Sequence, residues 1–113
     1  MPATTRFRSA NLASSSARIS ATLDDALTDH PPPARWAALA DFAYNVGPAA
    51  FRHSTIVRNL NEPWPGPEFR IPAACDALLR YDKVRVHGVL RVSEWQRKRR
   101  MRERELCLSE GTS

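Results

Sequence analysis

The apolar and polar positions from Trp36 to Val46 repeat with the period of a helix that buries one face. The apolar residues are spaced i, i+3, i+7 and i+10, namely Trp36, Leu39, Ala43 and Val46. Gly47 follows where a left-handed residue would end such a helix, and Pro48 cannot continue it. The pattern predicts a helix over residues 35–46, followed by a tight Gly-Pro turn.

A second helix is predicted after this turn. Its apolar residues are Ile56, Val57 and Leu60. Ser54 or Thr55 precedes them, and either side chain can accept a hydrogen bond from a free amide of the first helical turn. The local pattern is therefore a helix, a turn, an aromatic residue at Phe51 and a second helix.

The next segment, residues 62–67, contains three prolines and a glycine, which exclude regular secondary structure. Trp64 lies among these prolines. We expect its ring to pack back on the core and anchor the loop. The alternative is a solvent-facing platform for a sugar.

The C-terminal part of the chain predicts two more helices and an extended segment. Pro72 fits the first position of a helix that continues to Arg80. The apolar face of this helix consists of Ala74, Ala77 and Leu78. Residues 82–92 are rich in valine and predict an extended loop or a short strand. The last helix begins near Ser93, which can form a capping box with Gln96.

The N-terminal 33 residues carry a weaker pattern. The apolar residues of a short helix are spaced i, i+4 and i+8, namely Ile19, Leu23 and Leu27. Serines at 14–16 can cap it, and the prolines at 31–33 end it. Residues 1–13 have no periodicity and are expected to be disordered. We therefore expect three segments, which are a poorly ordered leader at 1–33, a helical unit at 34–108 and a tail at 109–113.

The length of 113 residues suits one domain, and a compact fold of this size buries roughly two-thirds of its unfolded surface. No apolar run approaches the roughly 18 residues that span a membrane. Residues 1–13 lack the apolar core of a signal peptide, so we expect no export signal. The net charge of +5 comes from 17 basic and 12 acidic residues and favours polyanionic partners of any class.

The two cysteines and three histidines form no metal-binding framework. Cys75 and Cys107 lie outside any C-x-x-C unit. They are either joined in a disulfide or reduced and buried as small hydrophobic residues, and the spacing alone favours the reduced form. The histidines have no nucleophile or ligand set beside them and are interpreted as solvated or core side chains, namely His30, His53 and His87.

Several stretches of the chain together resemble one enzyme family. They are Leu39-x-x-Phe42-Ala43-Tyr44-Asn45-Val46-Gly47, Phe51, 54–61, 74–83 and 99–108. In this order they resemble the C-terminal lobe of phage-type lysozymes, the endolysins of glycoside hydrolase family 24. The resemblance implies an all-α fold of three to five helices packed on the 35–46 helix, without cofactor or metal. Related lysozymes often pair cysteines at corresponding places, which leaves a Cys75–Cys107 disulfide and the reduced form equally favoured.

The resemblance also implies cleavage of peptidoglycan between N-acetylmuramic acid and N-acetylglucosamine. This reaction needs a protonated carboxylic acid beside the scissile oxygen, and a second carboxylate or a water that it holds. In the family a Glu-Gly pair, an Asp and a Thr of the N-terminal lobe supply these groups. No such motif precedes residue 34, and the upstream carboxylates are interpreted as solvated charges, namely Asp24, Asp25 and Asp29. We therefore expect a truncated endolysin with no catalytic residues of its own.

The same resemblance implies substrate-binding residues along the remaining wall of the sugar groove. They are Tyr44, Asn45, Val46, Gly47, Arg80, Tyr81, Arg99 and Arg100. Asn45 offers a donor and an acceptor to a glycan, or alternatively satisfies a free carbonyl at the helix end. Tyr81 is more simply interpreted as a cover over the core. In the family one arginine of the Arg99–Arg100 pair faces the catalytic carboxylates, and in this chain we expect it to have no such partner.

The run from Arg97 to Glu105 is strongly basic. A solvated basic helix is the simplest interpretation, with binding to anionic wall polymer or membrane next, and nucleic acid the least favoured. Family members carry Gly-Leu shortly before the arginine pair, whereas residues 94–98 contain no glycine here. A position that needs positive φ is strained without glycine, so the start of the last helix is less well defined.

Two further alternatives follow for function. The chain is a non-catalytic lobe that binds glycan, or a basic helical protein that binds anionic polymer or nucleic acid. For the endolysin interpretation, a partner chain that supplies the N-terminal lobe would restore catalysis. Such a protein would be made in the host bacterial cytoplasm and act at the periplasmic cell wall, with a separate pore protein providing the route.

Overall fold

The computed structural model describes residues 17–109, which are mainly helical as the sequence predicts. Six helices, one 3-10 turn and one two-stranded sheet follow in order. They are α1 (17–26), α2 (Pro33–Val46), α3 (Pro48–Arg52), α4 (Thr55–Asn61), α5 (Pro67–Ala77), the 3-10 turn (Leu78–Arg80), β1 (Lys83–Val86), β2 (Val89–Val92) and α6 (Glu94–Leu108). No helix in this part of the chain is long and apolar enough to cross a membrane.

The core forms around α2, which packs along α6. The largest fully buried apolar side chains are Leu23, Leu39, Phe42, Phe51, Ile56 and Leu78. Phe42 is central, because its ring meets the edges of Phe51 at 6.2 Å and Tyr81 at 5.0 Å between centroids. Such edge-to-face pairs stabilise a core by about 0.5–1.5 kcal/mol beyond their burial.

Gly47 ends α2 with a φ of 96°, in the conformation that favours glycine, and its amide donates to the carbonyl of Ala43. Pro48 then begins the short helix α3, which the sequence did not predict. Proline suits the first position of a helix because no partner is needed there for the missing amide. The expected turn is therefore a joint between two helices.

The predicted cap of α4 is confirmed. The hydroxyl of Ser54 accepts a hydrogen bond from the amide of Val57 at 3.2 Å and donates one to the carbonyl of Phe51 at 2.7 Å. Ser54 thus satisfies one of the free amides at the start of the helix.

The predicted start of the next helix is wrong by five residues. α5 begins at Pro67, which takes the first position, and Pro72 lies inside the helix. A proline there lacks an amide for the hydrogen bond to the carbonyl of Glu68, so the helix tolerates one missing bond near its start. Both prolines fit a first position, and the sequence pattern did not distinguish them.

The predicted anchoring role of Trp64 is also wrong, because its side chain is 81% exposed. The loop that carries it has a cis peptide bond between Trp64 and Pro65. With this exposure the Trp64 ring faces solvent, as the alternative interpretation expected.

Residues 82–92, expected to be extended, form a β-hairpin. Its strands pair from Lys83 opposite Val92 to Val86 opposite Val89. His87 and Gly88 form the turn with positive φ values of 49° and 81°, as tight hairpin turns require. The base is closed by a hydrogen bond from the amide of Ser93 to the carbonyl of Asp82 at 2.8 Å.

Helix α6 begins on Ser93, whose hydroxyl accepts from the amide of Gln96 at 3.3 Å. This is half of the predicted capping box. The other half would need the amide of Ser93, which already donates to Asp82 at the base of the hairpin. Ser93 thus caps the start of α6, where the resemblance to phage-type lysozymes led us to expect a glycine.

Helix α1 packs on the body of the fold, and its Leu23 is only 1% exposed. The side chain of Asn61 donates to the carbonyl of Ala26 at 2.6 Å and accepts from the amide of Thr28 at 2.9 Å. This part of the expected leader thus belongs to the packed unit. Residues 1–16, with the predicted serine caps, and residues 110–113 lie outside the described range.

Candidate functional site

A group of charged and polar side chains lies between α2 and α6, and we call it the charged seam. It consists of Asp41, Asn45, Arg99, Arg100 and Glu103. Residues four apart on a helix share a face, which places Asp41 above Asn45 on α2. The same spacing brings Arg99 and Glu103 together on α6.

Arg100 lies at the centre of the charged seam and is fully buried. Its Nη2 donates to Oδ1 of Asn45 at 3.0 Å, and its Nε lies 2.9 Å from Oε1 of Glu103. The guanidinium also stacks over Phe42, 5.1 Å from the ring centroid. The interpretation of this stretch as a solvated basic helix is therefore wrong at Arg100, which has partners within its own lobe.

Arg99 forms the outer edge of the charged seam. It donates two hydrogen bonds to Asp41, from Nη2 to Oδ1 at 3.0 Å and from Nε to Oδ2 at 3.3 Å. Its guanidinium also lies 5.3 Å from the ring centroid of Trp95, within cation–π range. A two-point contact of this kind fixes the relative orientation of the two helices.

The pKa values of the two carboxyl groups in the charged seam are shifted in opposite directions. Burial raises the pKa of Glu103 to about 8, and a hydrogen bond with Asp41 adds to the effect. The same hydrogen bond is the main cause of a lowered pKa at Asp41, and Arg99 lowers it further. Burial lowers the pKa of Arg100, whereas the hydrogen bond to Asp41 raises that of Arg99. Burial thus favours the protonated form of Glu103, whereas the surroundings of Asp41 favour its ionised form.

These two carboxyl groups do not satisfy the requirements of a general acid. Such a group needs a raised pKa and access to the scissile oxygen. Glu103 has the raised pKa but is only 4% exposed, and Asp41 is exposed but has a lowered pKa. Among residues 17–109, Glu103 is the one carboxyl group for which a raised pKa is resolved.

The structure brings part of the predicted substrate site together. Asn45, Arg99 and Arg100 belong to the charged seam, and Tyr44, which is 67% exposed, precedes Asn45 at the end of α2. Val46 is half-buried against the core, and Gly47 forms the joint to α3. Of the predicted residues, Asn45, Arg99 and Arg100 therefore lie together at the α2–α6 contact.

The other predicted pair, Arg80 and Tyr81, has a different setting. The ring of Tyr81 packs on Phe42, and its hydroxyl accepts from the amide of Thr55 at 3.2 Å. Arg80 is exposed at the end of the 3-10 turn. Tyr81 thus covers the core and holds the start of α4.

Cys75 and Cys107 form a disulfide that joins α5 to the C-terminal part of α6. Both are fully buried, and their Cα atoms lie 5.8 Å apart. The carbonyl of Cys107 also accepts a hydrogen bond from Nε of Arg35 at 3.2 Å. The end of α6 opposite its arginine pair is therefore held covalently.

Sequence reasoning missed three residues of this region: Asp41, Trp95 and Glu103. The signal available was the spacing of Glu103, three and four residues after the arginine pair, which predicts contact on one helix face. The partner on α2 had no such signal, because Asp41 lies 58 residues from Arg99 in the chain. No group of three or more metal-ligating side chains occurs among the residues that the structure describes.

Comparison with known proteins defines the class to which this architecture belongs. A sequence model of the phage lysozyme family matches residues 3–103, and the chain belongs to the phage lysozyme family. The family expected from the sequence is thus confirmed. No curated protein sequence matches the chain significantly.

Two solved structures share the fold. One is an endolysin from Escherichia coli O157:H7 phage FAHEc1, with a TM-score of 0.75 and 23% identity, over 86% of this chain and 58% of that one. The other is the muramidase domain of SpmX from Asticaccaulis excentricus, with a TM-score of 0.73 and 24% identity, over 86% of this chain and 62% of that one. The chain therefore spans less than two-thirds of the length of either structure.

Proposed function

We propose that the chain is the glycan-binding lobe of a phage-type lysozyme that acts on bacterial peptidoglycan, and that it has no hydrolytic activity alone. The observation that carries the proposal is the edge of the charged seam, where Tyr44, Asn45 and Trp95 are exposed beside Arg99. Membership of the phage lysozyme family supports peptidoglycan as the substrate class. The site of action that fits this substrate is the periplasmic cell wall.

The buried arginine prepares Asn45 for a glycan. Because Nη2 of Arg100 donates to Oδ1 of Asn45, the amide group is oriented with its two N–H donors directed away from the arginine. Asn45 is exposed, so these donors are available to a carbonyl or hydroxyl oxygen. An N-acetyl group of a peptidoglycan sugar supplies such an acceptor.

Two exposed aromatic residues adjoin members of the charged seam, since Tyr44 precedes Asn45 in the chain and Trp95 contacts Arg99. Tyr44 and Trp95 are 67% and 62% exposed, and Arg99 stacks on the Trp95 ring. Rings with an apolar face and a polar edge suit sugars, whose own rings have apolar faces and hydroxyl rims. A polar donor with exposed aromatic residues in the same region therefore suits a short stretch of glycan.

The absence of hydrolysis is proposed from the carboxyl groups of residues 17–109. The one carboxyl group with a raised pKa, Glu103, is buried beside Arg100 and is not accessible to a substrate. A lobe supplied by another segment or chain would have to provide the acid. In this proposal the chain holds the substrate, and the acid comes from outside residues 17–109.

The test compares two asparagine variants. Asn45→Asp keeps the acceptor for Arg100 and removes the exposed donors, so we expect glycan affinity to fall about tenfold, as for loss of a hydrogen bond or two. Asn59→Asp makes the same chemical change on α4 and should leave affinity within about twofold. Affinity for soluble muropeptide fragments is measured by calorimetry.

Release of reducing ends from purified peptidoglycan is measured on the same samples. No release at high protein concentration is expected. Glycan binding that responds equally to both substitutions, or no binding at all, overturns the binding proposal. Release by the chain alone overturns the proposed lack of catalysis.

A further inference from the structure

The β-hairpin of residues 83–92 has an unusual composition for an exposed segment. Five of its residues are aliphatic, three are Lys or Arg, and no acidic residue occurs between Asp82 and Glu94. It contains no Ser, Thr, Asn or Gln and no Phe, Tyr or Trp. An exposed ribbon in a protein normally carries polar side chains on its solvated face.

The aliphatic side chains of the hairpin are solvent-exposed. The exposed fractions are 41% for Val86, 55% for Val89, 57% for Leu90 and 56% for Val92. A two-stranded ribbon of this length is marginally stable in water on its own, and the rest of residues 17–109 does not cover these side chains. Burial by another surface would therefore be favourable.

The strand register places apolar and basic residues on both faces. Opposed residues point to the same face, so Val84 shares one face with Arg91, and Arg85 shares the other with Leu90. The outermost rung, next to the turn, pairs Val86 with Val89. The hairpin thus has an aliphatic tip, with cations one or more rungs behind it on each face.

We propose that this hairpin is a membrane-contact element whose tip enters the interface of a bilayer containing anionic phospholipid. Val86, Val89 and Leu90 lie at the boundary between headgroups and acyl chains, while Arg85, Arg91 and Lys83 reach the phosphates. Long basic side chains place their apolar stems in such an interface and their charges at its surface. The insertion is shallow, because the outer edges of the two strands carry unpaired backbone groups that hydrocarbon does not satisfy.

The composition favours a bilayer over the other polyanions. Nucleic-acid binding relies on aromatic stacking and on amide or hydroxyl side chains that contact bases. The hairpin has no amide or hydroxyl side chain and no Phe, Tyr or Trp, and His87 in the turn is its one ring. A flat protein partner would bury one face of the ribbon and leave aliphatic side chains of the other face in water. A bilayer surrounds an inserted tip on all sides, which matches apolar exposure on both faces.

The charges set the expected lipid dependence. Each Lys or Arg near an anionic surface strengthens binding by roughly fivefold, and the effect is screened by salt. We therefore expect binding to vesicles of phosphatidylcholine with about 30% phosphatidylglycerol, and much weaker binding to phosphatidylcholine alone. The proposal does not depend on glycan binding, and no peptidoglycan is present in its test.

The test measures co-sedimentation of the full chain with these vesicles. Val89→Thr with Leu90→Thr keeps strand propensity and removes apolar contact, and we expect the partition coefficient to fall about tenfold. Arg85→Gln with Arg91→Gln should lower it by at least about tenfold. The matched control, Arg52→Gln with Arg58→Gln, makes the same change of net charge at exposed positions outside the hairpin and should lower it less than about threefold.

Circular dichroism confirms that each variant remains folded. Equal losses in the hairpin and control arginine variants would show attraction by net charge alone and overturn the proposal. An unchanged partition coefficient for the Val89 and Leu90 variant would overturn insertion of the tip. Binding to a short DNA duplex that the same hairpin substitutions weaken as strongly would assign the hairpin to nucleic acid instead.

Discussion

The charged seam and the β-hairpin depart in opposite ways from the usual distribution of polar groups at the surface and apolar groups in the core. The seam buries a guanidinium and a carboxyl group between two helices, whereas the hairpin leaves four large aliphatic residues in solvent. Charged groups are almost never fully buried unless they are paired. In the seam the pairing is present, with Asn45, Glu103 and the ring of Phe42 around Arg100.

The difference shows two ways in which a local departure from the hydrophobic pattern points to function. In the seam, the cost of desolvation is offset by geometry, and the result is a rigid edge that orients Asn45. In the hairpin, nothing within residues 17–109 covers the apolar tip, and this exposure is the basis for the proposed contact with a bilayer. Local rules fail most informatively at sites of this kind.

The largest expected effect tests the two regions with one kind of substitution. Arg100→Ala removes a buried side chain and its contacts with Asn45 and Glu103, and should lower the free energy of unfolding by about 3–5 kcal/mol. Arg85→Ala in the hairpin should cost less than about 0.5 kcal/mol, because its side chain is exposed. Urea denaturation measures both. Equal losses would remove the distinction between the regions.

The disulfide should have the next largest effect on stability, and it should act through α6 and not through the hairpin. Reduction of Cys75–Cys107 opens a loop closed across 32 residues and should lower the free energy of unfolding by about 3–4 kcal/mol. Reduction keeps both side chains in place and so avoids a cavity. Hydrogen exchange should accelerate in α6 and stay unchanged in the hairpin, which already opens easily. Faster exchange in the hairpin alone would contradict this assignment.

The smallest effect concerns pH and separates Glu103 from an exposed carboxylate. The pKa of Glu103 is raised to about 8 in the folded state from an ordinary value of 4.5, through burial and Asp41. Between these pH values the folded protein holds a proton that the unfolded chain has lost. The free energy of unfolding therefore falls as pH rises through this window.

Glu103→Gln mimics the protonated side chain and should remove this fall. The free energy of unfolding of the variant should match that of the wild type near pH 5 and exceed it near pH 8.5. Glu105→Gln, on the exposed side of the same helix, should keep the wild-type slope. Parallel pH curves for the wild type and Glu103→Gln would show that Glu103 is ionised in the folded state.

Much of the fold follows from local patterns in the sequence. The period of apolar residues predicted α2, Ser54 predicted the start of α4, and the valines of 82–92 predicted an extended segment. Each depends on residues a few positions apart. The start of α5 was predicted wrongly because Pro67 and Pro72 both suit the first position of a helix. The role of Trp64 was predicted wrongly because the sequence does not show in which direction its side chain points.

The site was only partly predictable. The motif resemblance indicated Asn45 and the arginine pair, but their contacts depend on packing of α2 against α6. A run of basic residues in a sequence predicts a solvent-exposed helix. Only the tertiary structure shows that Arg100 points inward and stacks on Phe42. Trp95 and Glu103 gain their roles from the same packing.

The closure of the hairpin at its base has a consequence for how the molecule can be altered. The amide of Ser93 bonds to the carbonyl of Asp82, and the first rung pairs Lys83 with Val92, so the chain leaves and re-enters the body at one point. The cost of a loop grows only slowly with its length, and such junctions tolerate insertion. We therefore expect that the hairpin can be lengthened, shortened or replaced by another hairpin while the fold of the helices is retained.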